Sequence, residues 1–230
     1  MAELILALDT PRGADALRLL DRLPTLQWVK VGSILMTREG PDFVRQLTAR
    51  GLKVFLDLKW HDIPNTVAGA VTAARELGVS MATVHTLGGR AMLEAAAVAA
   101  GGDLSLVGVT VLTSHEPAGY AMAVGRSEVD IPREAERLAL VAAESGLQGV
   151  VCSPQEVSLL RRLLGPELRI VVPGIRRRTD AHGDQVRVAT AKNAVANGAT
   201  HLVVGRPVLL APDPAAALEG LMEEARCIGS

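Results

Sequence analysis

The feature that most constrains the fold is the regular alternation of short apolar segments with longer amphipathic ones along the chain. Each short segment is rich in valine, leucine and isoleucine, as buried strands are, and each longer one has helical spacing. The predicted strands are 4–9, 27–33, 54–60, 81–86, 105–113, 149–153, 169–173 and 201–207. Because strands joined by helices form parallel sheets, eight such units predict a single-domain TIM (β/α)8 barrel over residues 1–230.

The segments between the strands predict the helices, several of which end at a glycine such as Gly51 or Gly78. The predicted helices are 14–23, 42–50, 65–77, 90–100, 132–144, 154–164, 190–196 and 214–226, with room for a short helix in 114–120. Residues 10–13 and 88–89 are predicted turns, and 37–41 connects the second strand to its helix. The stretch 174–189 has little apolar periodicity, and so long a connection in a compact domain is usually functional or disordered.

Composition excludes several classes of function. The 24 lysines and arginines nearly balance the 25 aspartates and glutamates, so no overall field favours nucleic acid or an anionic membrane. The amino terminus lacks a signal-peptide pattern, and no apolar run approaches the roughly 20 residues that a membrane span requires. Cys152 and Cys227 are far apart in sequence and are interpreted as free thiols. We therefore expect a cytoplasmic protein that binds neither nucleic acid nor membrane.

Ionisable residues close one face of three consecutive strands. Side chains alternate along a strand, so Asp57 and Lys59 point away from the leucines that pack on helices, and the same parity applies to Asp9 and Lys30. All four residues stand at strand carboxyl ends, where TIM barrels carry their active sites. A structural ion network is the alternative interpretation, but burying one costs desolvation energy, which favours a functional role.

The connections after strands seven and eight contain groups suited to an anion. TIM barrels commonly bind phosphate there, through backbone N–H groups and cationic side chains. Arg176 and Gln185 lie after the seventh strand, and Gly205 and Arg206 close the eighth. Most arginines of the 176–178 cluster are expected to be solvated, so the pair at the end of strand eight is the stronger signal.

The segment 57–66, Asp-Leu-Lys-Trp-His-Asp-Ile-Pro-Asn-Thr, resembles the signature of the orotidine 5'-phosphate decarboxylase family, in its short bacterial form. Matching segments follow in the expected order at 7–9, 30–32, 111–114, 172–176, 183–185 and 205–207. The resemblance implies conversion of orotidine 5'-monophosphate to uridine 5'-monophosphate and carbon dioxide in pyrimidine biosynthesis. It also implies a homodimer and a reaction that uses no metal and no organic cofactor.

The resemblance implies catalytic roles for individual residues. Lys59 would donate a proton to C6 of the pyrimidine, and Asp57 would lie beside the departing carboxylate. Asp62 would enter from the partner subunit and complete an alternating array of charges. Lys30 and Asp9 would hold the ribose hydroxyls, with Lys30 also pairing with Asp57.

Further substrate contacts are implied in the same way. Ile63 and Thr66 belong to the segment that carries Asp62, and Thr66 would contact the substrate across the subunit interface. Thr113 would lie near the base. The phosphate would be held beneath a lid formed by the loop 176–184, and its ligands would be Arg176, Gln185, Gly205 and Arg206.

Two alternatives remain open at this stage. A magnesium-dependent sugar-phosphate decarboxylase or synthase of the same superfamily shares Asp-x-Lys-x-x-Asp, but it needs further acidic ligands near the strand ends. His85 and Thr113 occupy such positions here, and His85 is expected to be packed or hydrogen-bonded rather than a ligand. The second alternative is a non-catalytic phosphate-binding barrel, which would have no need of the lysines and aspartates at the rim.

Overall fold

A closed barrel of parallel strands forms the centre of the molecule. A computed structural model describes residues 2–176 and 189–226, and within them eight strands pair in sequence order, with β8 closing on β1. The strands are β1 (Glu3–Ala7), β2 (Trp28–Gly32), β3 (Lys53–Trp60), β4 (Met81–His85), β5 (Ser105–Val109), β6 (Gly149–Val151), β7 (Arg169–Val172) and β8 (His201–Val204). The predicted TIM barrel is thus confirmed.

Helices connect successive strands and surround the barrel. They are α1 (Gly13–Leu20), α2 (Ser33–Ala49), α3 (Pro64–Glu76), α4 (Arg90–Ala100), α5 (Pro117–Ala123), α6 (Ile131–Glu144), α7 (Val157–Leu164), α8 (Ala191–Ala196), α9 (Arg206–Leu209) and α10 (Pro214–Arg226). A 3-10 turn, Thr86–Gly88, follows β4. In the described part of the chain, no helix combines the length and the apolar character needed to cross a bilayer.

Two apolar layers follow from the alternation of side chains along the strands. On β1, Leu4 and Leu6 pack outward into the core shared with the helices, whereas Ile5 and Ala7 point into the lumen. The lumen is filled by a second cluster of buried side chains, which are Ile5, Ala7, Trp28, Phe55, Met81, Val107, Val171 and Val203. This filling closes the barrel interior and leaves a site only at its rim.

The second helix is longer than predicted. Residues 37–41 were expected to connect β2 to a helix at 42–50, and helical backbone extends instead from Ser33 to Ala49 with an interruption at Gly40. The helix predicted after Pro41 is therefore present, and a further helical segment precedes it. The turn signal marks a kink inside this helix, where Gly40 has φ 70° and ψ −168° and Pro41 follows. Glycine tolerates that conformation and proline starts a new helical turn, so the local chemistry was identified but its context was not.

The ends of two strands also differ from the prediction. β5 stops at Val109 rather than at residue 113, and Val111 packs in a separate apolar cluster with Tyr120, Ile131 and Leu138. β8 ends at Val204, and a short helix begins at Arg206. The apolar side chains beyond these strand ends pack locally. Sequence periodicity alone does not distinguish such residues from a continuation of the strand. The short helix allowed for in 114–120 is present as α5.

Candidate active site

A cavity of about 680 Å³ opens at the carboxyl ends of the strands. It lies within the size range of small-molecule sites. Eight of the predicted site residues line it, namely Asp9, Lys30, Asp57, Lys59, Thr113, Arg176, Gly205 and Arg206. The barrel therefore brings together residues that are distant in sequence. For Asp9, Lys30, Asp57 and Lys59 this agrees with their predicted positions at strand ends.

Charges of alternating sign form a continuous network on the floor of this cavity. Lys30 Nζ lies 3.3 Å from Asp9 Oδ1 and 3.5 Å from Asp57 Oδ2. Lys59 Nζ lies 2.9 Å from the other oxygen of Asp57. The resemblance implied the pairing of Lys30 with Asp57, and the contact of Lys30 with Asp9 is additional.

Asp57 is held ionised at the centre of this network. Its side chain is only 13% exposed, and burial by itself would raise its pKa. The ammonium groups of Lys30 and Lys59, with hydrogen bonds from Lys59 and Thr83, outweigh burial and lower the pKa of Asp57 below its ordinary value. A fixed negative charge therefore sits beside the mobile end of Lys59.

The backbone of β3 is irregular where it presents Lys59. The pairing between β3 and β4 shifts register between Leu56 and Trp60, and Lys59 has φ 51°. Of the described residues other than glycine, Lys59 alone has a positive φ. Its N–H donates to Thr83 Oγ1 at 2.8 Å, a bond from backbone to side chain in place of a regular ladder. Strand parity predicted the correct face for Lys59 but missed this bulge and the role of Thr83.

Three predicted residues lie outside this cavity. Asp62, Ile63 and Thr66 follow β3 and are exposed, Ile63 to 67%. The carboxylate of Asp62 accepts a hydrogen bond from the Ile63 N–H at 2.6 Å, which shapes the turn into α3. None of the three lines the cavity described above. Gln185 and most of the expected lid, residues 177–184, lie outside the described residues.

His85 is packed and hydrogen-bonded, as predicted. Its Nδ1 accepts a hydrogen bond from the Leu87 N–H at 3.3 Å, and its ring stacks on His61 with centroids 5.6 Å apart. Burial, together with the nearby His61, Lys59 and His115, lowers the pKa of His85 to about 4, so the ring is neutral at pH 7. Within residues 2–176 and 189–226, no group of three or more His, Cys, Asp and Glu side chains is placed to hold a metal ion.

Two arginines line the side of the cavity formed by the ends of β7 and β8. Arg176 is 8% exposed, and its Nη1 donates to the Ile175 carbonyl at 2.9 Å. Arg206 is exposed at the start of α9. A Cβ added at Gly205 would lie 3.7 Å from Asp9 Oδ2, so this glycine packs close to the charged network. Both cations can reach an anion in the cavity without crossing the Lys59 network.

The cavity has further walls that residue patterns did not identify. Phe55 closes its floor, and Val109, Val151 and Val203 add apolar surface from other strands. Val111 adds apolar surface from the segment after β5. Cys152 is buried in the wall, as expected, whereas Cys227 lies outside the described residues. Other lining residues lie after the strands, in segments too short for their hydrophobic periodicity to predict a structure. They are Thr10, Leu112 and Leu209. An apolar lining with a few converging charges is typical of a site for an organic ligand.

Comparison with known proteins identifies the family of this chain. Residues 2–221 match the model of the orotidine 5'-phosphate decarboxylase / HUMPS family. The chain belongs to this family. The orotidine 5'-phosphate decarboxylase of Halorhodospira halophila is 51% identical over 234 residues, which cover 98% of this chain and 97% of that protein. The protein of the same name from Moorella thermoacetica is 46% identical, covering 96% of this chain and 91% of its own length.

Solved structures of the same family agree with this assignment. The crystal structure of orotidine 5'-phosphate decarboxylase from Lactobacillus acidophilus superposes with a TM-score of 0.88 at 36% identity. The match covers 99% of this chain and 100% of that one. Sequence similarity and fold therefore indicate the same family.

Proposed function

We propose that this protein catalyses the decarboxylation of orotidine 5'-monophosphate to uridine 5'-monophosphate and carbon dioxide, in pyrimidine biosynthesis. The observation that carries the proposal is the network of Lys30, Asp57 and Lys59 on the floor of the cavity, in a chain of this family. The proposal assigns the whole chain, residues 1–230, to one catalytic domain and gives it a cytoplasmic location.

The proposed chemistry needs a positive charge beside C6 of the pyrimidine. When the bond between C6 and the carboxylate breaks, its electron pair stays on C6 in the plane of the ring, where the ring delocalises it poorly. The ammonium of Lys59 stabilises this carbanion electrostatically and then donates a proton to C6. Uridine 5'-monophosphate results, and Lys59 regains its proton from water.

Asp57 has two roles in this scheme. Its ionised carboxylate, 2.9 Å from Lys59 Nζ, orients the lysine ammonium before the reaction. It also stands next to the carboxylate that leaves, so repulsion in the bound substrate is relieved as carbon dioxide departs. Lys30, between Asp57 and Asp9, limits the total negative charge and is assigned with Asp9 to the ribose hydroxyls.

The arginine side of the cavity is assigned to the phosphate. Guanidinium groups bind phosphate through paired N–H donors, and Arg176 and Arg206 both line the cavity. Gly205 and Gln185 complete this assignment, and Thr113 is placed near the base. Phosphate binding is remote from C6, so its binding energy can support catalysis as well as affinity.

We further infer a homodimer in which Asp62, Ile63 and Thr66 contribute to the partner's site. Support comes from their exposure beside β3 and their absence from the cavity of their own subunit. The exposed apolar side chains of Ile34 and Ile63 follow neighbouring strands on this side of the barrel, and covering them would remove apolar surface from water. In a dimer, Asp62 would bring a second carboxylate to Lys59.

The direct test measures the loss of orotidine 5'-monophosphate absorbance after adding purified protein that has been treated with a metal chelator. We expect rapid conversion to uridine 5'-monophosphate, confirmed by chromatography of the product. No conversion by folded protein, with or without added magnesium, would refute the proposal. If the magnesium-loaded protein then converts sugar phosphates, the sugar-phosphate enzyme is the alternative that applies. If it binds phosphorylated ligands without turnover, the non-catalytic barrel applies.

A further inference from the structure

Thr83 is a buried threonine on β4 whose hydroxyl contacts two parts of the catalytic strand. Its relative exposure is 0%. Thr83 Oγ1 accepts the Lys59 N–H at 2.8 Å and donates to Asp57 Oδ1 at 3.1 Å. The hydroxyl therefore donates to Asp57 and accepts from Lys59 at the same time. These two residues form the closest ion pair of the site.

The contact with Lys59 falls where the sheet is least regular. Pairing of β3 with β4 shifts between Leu56 and Trp60, and Lys59 has φ 51°. A residue other than glycine is sterically strained in the left-handed region. Such a conformation persists only where the surroundings hold it, and the Thr83 hydroxyl supplies the partner of the Lys59 N–H.

The contact with Asp57 couples this backbone to the charges. Asp57 Oδ1 accepts from both the Thr83 hydroxyl and Lys59 Nζ, the latter at 2.9 Å. Asp57 Oδ1 thus contacts the ammonium directly and is connected to the bulged backbone through the Thr83 hydroxyl. Movement of the Thr83 hydroxyl would shift both partners together, because each is tied to it directly.

We propose that Thr83 is a positioning residue, whose hydroxyl holds the Lys59 backbone and the Asp57 carboxylate in the arrangement that aims the Lys59 ammonium into the cavity. The inference rests on the proposed decarboxylase function. Thr83 does not line the cavity and is not expected to touch the substrate. Its effect should therefore fall on the chemical step rather than on binding.

The test compares Thr83→Val, which keeps the shape and removes the hydroxyl, with Thr83→Ser, which keeps the hydroxyl. Loss of a hydrogen bond to a charged group predicts a fall in kcat of about 10- to 100-fold for the valine variant. The KM for orotidine 5'-monophosphate and the affinity for uridine 5'-monophosphate should stay within about threefold, because the binding contacts remain. Thr83→Ser should recover most of kcat.

A pH profile separates positioning from a general loss of stability. The Thr83 hydroxyl is one of the groups that lower the pKa of Asp57, along with Lys30 and Lys59. Its removal should move the acidic limb of kcat to higher pH. Thr110→Val is the matched control, since Thr110 is also fully buried but donates to the Val151 carbonyl at 3.0 Å. That variant should lower thermal stability without changing the pH profile.

A wild-type value of kcat and an unchanged pH profile in Thr83→Val would overturn the inference, as would a defect confined to KM. If Thr83→Val does not fold, Thr83→Ser and Thr83→Cys provide a second comparison, between a hydroxyl and a thiol of similar size. Equal kcat values for these two variants would also overturn the inference. Wild-type protein without decarboxylase activity would instead refute the proposed function. The two failures are therefore distinguishable.

Discussion

Lys59 Nζ lies 2.9 Å from Asp57 Oδ1, two residues earlier on the same strand. Alternation of side chains brings both to the lumen face, and the irregular backbone at Lys59 sets how its ammonium meets the carboxylate. In the proposed reaction this pair combines the proton donor with a fixed negative charge beside it.

Replacing Lys59 by alanine should abolish turnover and leave binding of phosphorylated ligands largely intact. The variant loses the group that stabilises and protonates the carbanion, so kcat should fall on the order of 10³-fold or more. Steady-state kinetics and calorimetric binding of uridine 5'-monophosphate provide the two measurements. Lys53→Ala is the control, because Lys53 starts the same strand and lies 5.4 Å from the Trp28 ring. Comparable turnover in Lys59→Ala would remove the proton-donor assignment.

Mixing Lys59→Ala with Asp62→Ala should restore activity that neither variant has alone. In a mixed dimer, one site combines an intact Lys59 with an intact Asp62 from the partner, while the other site lacks both. Random exchange makes half of the dimers mixed, so recovery should approach about a quarter of the wild-type activity. Subunit exchange can be verified with differently tagged chains. If exchange occurs without recovery, Asp62 does not serve the neighbouring site.

Replacing Arg206 by alanine should mainly weaken binding of the phosphorylated substrate. Loss of a charge-assisted contact predicts an increase in KM of about 10- to 100-fold. Orotidine, which lacks the phosphate, should show little change in kcat/KM between the variant and the wild type. Arg22→Ala is a suitable control, because Arg22 is exposed and does not line the cavity. An equal loss with both substrates would place Arg206 away from the phosphate.

The ion network around Glu134 should make stability depend on pH in acid. Glu134 is 4% exposed and accepts hydrogen bonds from Arg137, Arg126 and Tyr120. Hydrogen bonds from Arg137, aided by Arg126 and opposed by burial, lower the pKa of Glu134 from 4.5 to about 2. A carboxylate whose pKa is lower in the folded state stabilises the fold above pH 4.5, and this contribution is lost as the pH falls towards 2.

Denaturation measured at pH 6, 4 and 3 checks this prediction. The network should contribute at most about 3 kcal/mol to the free energy of unfolding, and Glu134→Gln should remove most of the pH dependence in that window. Glu144→Gln provides a comparison, because Glu144 ends the same helix and is 56% exposed. If the free energies of unfolding of wild type and Glu134→Gln change in parallel between pH 4.5 and 2, the assignment is contradicted.

Much of the site was predictable because strand chemistry is local. Asp9, Lys30, Asp57 and Lys59 stand at strand ends with the parity of the lumen face, and the cavity contains all four. Closure of the barrel then follows from the repeated strand and helix pattern, since parallel strands have few other ways to bury both faces. The positions of Asp62 and Thr66 outside this cavity also fit the bend expected after Lys59.

Other features depended on contacts between distant segments. Thr83 became recognisable only through the pairing of β3 with β4, because a threonine in a buried strand has no distinctive pattern of its own.

The helical start of α2 at Ser33 was hidden by the Gly40 and Pro41 signal, which marks a kink as readily as a turn. Leu209 reaches the cavity because α9 follows β8 directly.

The sequence by itself determined the barrel, the face on which each charged side chain lies and the family to which the chain belongs. These depend on the twofold period of strands, on helical periodicity and on residue types at short spacing. The tertiary structure decided how the charges meet: the register shift beside Lys59, the Thr83 hydroxyl between Lys59 and Asp57, and the ionised state of Asp57. Distances, desolvation and backbone strain arise only when strands from different parts of the chain are packed together, so no local pattern encodes them.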